Sequence, residues 1–135
     1  MAFGEKLMEI RVTLQEALSV QGAEKQVVMI PFSGEATGPY FSGRVIGPGV
    51  DTQRIGPDKK ARLSARYMLE GTDRDGNACR VFVENEGSWE DGFHPRIVTD
   101  SPVLRRFEAA ALSATVEGIP GGVLVSIYAS GKQEE

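Results

Sequence analysis

Residues 65–87, ARYMLEGTDRDGNACRVFVENEG, hold the arrangement with the clearest chemistry in the chain. They read as two β-strands joined by the turn Arg74-Asp75-Gly76, with Gly76 at the left-handed position of a three-residue hairpin. That register sets Arg66 opposite Glu84 and Glu70 opposite Arg80, with Met68 facing Phe82 between them. Tyr67, Leu69, Val81 and Val83 make the other face apolar. Opposite charges across two strands contribute roughly 0.2–1 kcal/mol per pair, and a one-residue slip would lose both pairs. If the charged face lines a barrel, its charges must be paired, and these pairings supply the partners. Arg66 would then offer its guanidinium fork to a small polar or anionic molecule, with Glu84 as charge partner or base and Asn85 as a hydrogen-bond donor. If it faces water, it is an ordinary solvated ladder and the apolar face is the core.

Two further residues could serve a mouth to such a barrel. His94 is the only histidine in the chain, and a lone histidine can act as a general base. It has no nucleophile elbow and no metal-ligand spacing beside it, so a structural histidine competes with that reading. Asp51 lies in GPGVDTQ, residues 47–53. This segment resembles a phosphate loop only superficially: it lacks the Lys-Ser/Thr pair, and no helix follows. Asp51 and Gln53 are expected at a strand terminus, capping backbone groups or pointing into the barrel mouth. DRDG at residues 73–76 is turn chemistry rather than a calcium loop, because Gly71 and Phe82 stand where ligands would be needed. No metal and no cofactor are expected. Cys79 reads as a small buried hydrophobe, and Trp89 as either a rim residue over a cavity or a contact for another subunit.

The elements that must position these residues are short strands. The chain has 135 residues with 16 glycines and 7 prolines, enough for one domain over residues 1–135 that needs no metal or disulfide to fold. Residues 8–14 alternate apolar and polar as a half-buried strand does, although a helix also fits them. Further strands are expected at 26–32, with Pro31 marking an edge or bulge, and at 40–46, 61–72, 78–86, 94–99, 112–118 and 123–129. A Gly/Pro-rich loop is expected at 47–57 and a short helix at 101–110, capped by Ser101 with Pro102 at its first position. The tail GKQEE is expected to fray. Eight strands in hairpin succession with one short helix point to an all-β, antiparallel β-barrel, whose interior is just wide enough for side chains or one small ligand.

The formal net charge of −4 and the absence of a basic stripe exclude a nucleic-acid footprint. One cysteine permits no internal disulfide. The N-terminus has no signal-peptide pattern, and no window approaches the roughly 18 apolar residues of a membrane helix. The expected location is cytoplasmic, with no membrane partner.

The segment from Ile30 to Gly87 resembles a bacterial family of small uncharacterised proteins described only as a domain of unknown function. The resemblance is carried by the Gly34 turn, GPYFSGRVIGPGVDTQ at 38–53, ARYMLEG at 65–71, Asp75-Gly76 and the VENEG end of the following strand. It implies a lipocalin-like antiparallel barrel with a central cavity, in members that form small oligomers. It implies no reaction.

Two functions are therefore expected to compete. One is a small-molecule-binding barrel with a polar-lined cavity, acting as a cofactor-independent isomerase or cyclase and using Arg66, Glu84, Asn85, Asp51 and His94. The other is a non-catalytic structural or oligomeric interaction protein with a filled barrel. Cavity size and the groups converging on it separate them.

Overall fold

A computed structural model describes residues 4–130; residues 1–3 and the GKQEE tail lie outside them. Among the described residues there are nine strands: β1 (Glu5–Leu14), β2 (Leu18–Gln21), β3 (Gln26–Thr37), β4 (Phe41–Ile55), β5 (Ala61–Asp73), β6 (Ala78–Ser88), β7 (Gly92–Thr99), β8 (Leu112–Ile119) and β9 (Gly122–Ala129). All neighbours pair antiparallel. The order β9-β8-β7-β6-β5-β4-β3 is closed by β1, which pairs with both β9 and β3. The result is a closed eight-stranded barrel with β2 attached outside the ring as a flap on β3. No helix among the described residues is long and apolar enough to cross a membrane.

The central hairpin pairs as its charges dictate: Arg66 with Glu84, Met68 with Phe82 and Glu70 with Arg80. The same logic extends around the wall. Arg11, Glu35, Arg44, Glu70 and Arg80 form one continuous rung of alternating charge across β1, β3, β4, β5 and β6. Strand parity then decides which face is core. Tyr67, Leu69, Val81 and Val83 are buried with Ile10, Phe32, Phe93, Ile97 and Ile127 in the interior, so the charged face looks outward.

β4 runs through the segment expected to be a loop. Ile46 pairs with Met68 and Val50 with Arg66, so four steps along β4 cover two along β5. A bulge absorbs the extra residues. Gly47 takes φ +63° there, and a side chain on Gly49 would strike the Phe32 ring at 2.5 Å. Because the offset is even, parity survives the bulge and Asp51 and Gln53 return to the inner face. The true turn is at residues 56–60. The expected helix is also shorter than its signals: Ser101 Oγ accepts from the N–H groups of Val103 and Leu104 at 3.1 and 3.2 Å, as a cap does, but only a 3-10 turn at Arg105–Ala109 follows.

That turn closes one end of the barrel. Leu104 and Phe107 are buried, and the Phe107 ring meets Tyr40 at 5.3 Å. Asp73, at the end of β5, ties the hairpin to this plug. Its carboxylate accepts from the Asp75 and Asn77 N–H groups at 3.0 and 2.9 Å and from the Ser101 hydroxyl at 2.7 Å. The opposite end is left open.

Candidate functional site

The open end holds a cavity of about 140 Å³, close to the roughly 150 Å³ that admits a benzene ring. Its position follows from one cross-strand rung. Ile30, Asp51, Ala65, Asn85 and Pro95 stand side by side on β3 to β7. With strands about 4.8 Å apart, Asp51 and Asn85 flank Ala65 at backbone separations of about 5 Å each. The methyl group of Ala65 leaves open the space a larger residue would fill. Tyr67 lies two residues along β5 on the same face and Gln53 two residues along β4. The rest of the lining is apolar: Val12, Val125, Val116 and Phe93 stand on β1, β9, β8 and β7. Trp89, exposed at the mouth, packs edge-on against Phe93 at 5.2 Å between centroids, which places it on the rim.

The polar groups of this cavity are incompletely satisfied. Gln53 Nε2 donates to Asp51 Oδ2 at 2.9 Å, orienting the carboxyl group. Burial pushes the Asp51 carboxyl up from its ordinary value, against a smaller lowering by Gln53. The hydroxyl of Tyr67 and Oδ1 of Asn85 are buried without a hydrogen-bond partner. Such groups are rare in folded proteins because each costs its lost hydration. Burial also pushes the Tyr67 hydroxyl strongly upward, so it stays protonated and available as a donor. Among the described residues, no Lys, Arg or His lines the cavity.

Of the five residues singled out by sequence, the structure brings Asp51 and Asn85 together and leaves the other three outside. Arg66 and Glu84 meet at 3.2 Å on the outer wall, where Glu84 also faces Arg96 at 3.6 Å. His94 is exposed on the outer face of β7, opposite Glu86. The reason is parity: Asn85 is one residue from Glu84, hence on the opposite face. The polar lining expected from the charge ladder is replaced by an apolar lining with four polar groups. Arg66→Ala should therefore cost less than about 1 kcal/mol in urea unfolding, as solvated pairs do; a loss above 2 kcal/mol would mean that the pair is buried after all. Sequence reasoning missed Tyr67 and Ala65 as parts of a site. The available signal was an aromatic hydroxyl and a small residue on an inward row otherwise made of large apolar side chains.

A sequence profile described as protein of unknown function (DUF3237) matches residues 4–92. The chain belongs to this family. Over 87 residues it is 30% identical to a UPF0311 protein of Clostridium acetobutylicum; the aligned region is 62% of this chain and 52% of that protein, so the chain spans about half the length of its curated relative. Among solved structures, the DUF3237 barrel is similar to a protein of unknown function from C. acetobutylicum, with TM-score 0.79, 24% identity and coverage of 93% of this chain and 94% of the other. It is similar to an enzyme from Penicillium herquei, with TM-score 0.74, 19% identity and coverage of 93% and 92%. A β-barrel-like protein from Acinetobacter baumannii gives TM-score 0.72 at 18% identity, covering 93% of each chain. At these identities the likeness is one of fold, and barrels host unrelated functions.

Proposed function

We propose that the barrel binds a small, uncharged, ring-sized molecule carrying an oxygen function on one edge, and that Asp51 moves a proton on it in a cofactor-independent isomerisation or cyclisation. The observation that carries this reading is the pair of unpartnered buried groups, Tyr67 Oη and Asn85 Oδ1, beside a carboxyl group raised by burial. Perturbed carboxyl groups in apolar cavities are candidates for acid–base work. A ligand oxygen would accept from the Tyr67 hydroxyl while its apolar body packs on Phe93 and the valines. In the chemical step, ionised Asp51 takes a proton from carbon next to a carbonyl, the C–H electron pair forms the enolate, and Tyr67 stabilises the oxygen. Return of the proton to another atom completes the isomerisation with no oxidant and no net proton change. A carboxylate ligand is disfavoured, because among the described residues no cation lines the cavity and Arg66 is on the outer wall. The presence of an enzyme among the structural neighbours is compatible with this reading.

The test uses cyclohexanone and phenol against benzoate. Cyclohexanone and phenol are expected to raise the melting temperature and benzoate to leave it unchanged. Proton NMR in deuterium oxide should show the barrel accelerating exchange of the cyclohexanone α-protons, with Asp51→Asn reducing the rate at least about 100-fold while phenol still binds. Asp51→Asn should also melt slightly higher than the parent near neutral pH. Ionised Asp51 costs stability above its raised value, and the difference should close as the pH falls through that value. If neither neutral probe binds, or if benzoate binds equally well, the reading fails and an interaction protein with an idle barrel takes its place.

A further inference from the structure

Among the described residues, β2 lies outside the closed ring and keeps one strand edge unpaired. β2 pairs only with β3, as Leu18 with Met29, Ser19 with Val28, Val20 with Val27 and Gln21 with Gln26, so its other edge presents backbone N–H and C=O groups with no strand beside them. Leu18 and Val20 are 61% and 63% exposed on the outer face, next to Met29. Proteins usually protect such an edge with a lysine, a proline, a bulge or a cover; the sequence LSVQ has none of the residue devices, and nothing among the described residues covers it.

We propose that β2 pairs antiparallel with β2 of a second copy of this chain, across a twofold axis at Ser19. The register follows from self-complementarity. An axis at Ser19 sets Leu18 of each copy opposite Val20 of the other, giving two apolar rows that read Met29, Leu18, Val20, Val27 across the four strands. It also sets Glu16 of one copy opposite Gly22 of the other. Gly22 stands opposite Lys25 across the turn, its N–H donating to the Lys25 carbonyl at 2.7 Å. Glycine offers no side chain, so the Glu16 carboxylate and the Lys25 ammonium can meet over it, twice per dimer. Both residues are exposed, and neither makes an ion pair among the described residues. An axis one residue later, at Val20, would instead set Glu16 against Glu24 and Leu18 against Gly22, trading attraction for repulsion and losing the apolar rows. A twofold contact of this kind is closed, so it ends at two copies and does not grow into a fibre.

Four residues per strand bury less than a standard interface, so association should be weak, with Kd on the order of 10–100 µM. Sedimentation velocity of the full chain between about 5 and 500 µM reads it out. The expected result is a monomer giving way to a discrete dimer across the series. Val20→Lys should weaken association at least about tenfold, Glu16→Lys should weaken it severalfold, and the double variant Glu16→Lys/Lys25→Glu should restore it. Melting curves of each variant keep the test clean, because β2 lies outside the closed ring and the barrel should unfold at an unchanged temperature. A monomer at every concentration, a dimer indifferent to Val20→Lys, a charge swap that fails to restore association, or assembly that continues past two copies would each overturn the proposal.

Discussion

Asp73→Ala is expected to lower the melting temperature by on the order of 10 °C. The residue is small and near a turn, yet its carboxylate gathers several hydrogen bonds. It accepts from the Ser101 hydroxyl, from the N–H groups of Asp75 and Asn77 and from Asn77 Nδ2. Alanine strands the Ser101 hydroxyl, which is buried beside Asp73, and leaves the Asp75 and Asn77 groups to water; a stranded buried donor costs more than its bond was worth. The damage also spreads, because Ser101 caps the turn that seats Leu104 and Phe107 in the closed end. The pH dependence has a definite sign. The Ser101 hydroxyl, then the Asn77 and Asp75 groups, hold the Asp73 carboxyl below its ordinary value of 3.8. Its contribution is therefore fully present above that value and is lost as the pH falls through the depressed one. Melting curves of parent and variant from pH 7 to pH 3 should show a deficit that is constant down to about pH 4 and shrinks below it. A deficit under 2 °C at pH 7 would mean that the knot is incidental to the fold.

The parts of this molecule that were legible in its sequence are those whose causes are local. The β5–β6 register was fixed by Gly76 at its left-handed turn position together with charges that match in only one alignment. The barrel followed from the succession of hairpins. The face of that hairpin was not legible, because Met68 and Phe82 give its charged side an apolar component and either side could be the core until the other strands are in place. Residues 47–55 were misread because glycine and proline punctuate strands in most contexts. Here they form a bulge inside one, held by β3 on one side and β5 on the other, and that pairing is not a local property. β2 is too short for its alternation to register. The site suffered most from this. Asp51 and Asn85 were both singled out, but what makes them a site is Ala65 between them, and that rung exists only once β4 has been carried through its bulge in even register. Arg66, Glu84 and His94 were attractive because of their chemistry, and parity alone put them outside.

Ala65→Leu should separate what the cavity does from what the barrel needs. Ala65 lines the space of about 140 Å³ together with Asp51 and Asn85, so three added carbons are expected to enter that void. Burying them is worth up to about 0.8 kcal/mol per carbon, and cavity-filling changes commonly return 0.5–2 kcal/mol in total. The variant is therefore expected to be more stable than the parent by about 1 kcal/mol in urea unfolding, with an unchanged slope. It should at the same time lose phenol and cyclohexanone binding at least about 100-fold, because the occupied volume is the site. Loss of binding with gain of stability is the pattern of a cavity kept open for a ligand at a cost to the fold, and it is not produced by a substitution that merely damages the protein. If the variant is destabilised, the neighbours have already collapsed into the space and the void is not available to a ligand. If it is stabilised and still binds phenol, the molecule is held elsewhere, and Tyr67 and Asn85 are unpaired for a reason unrelated to binding.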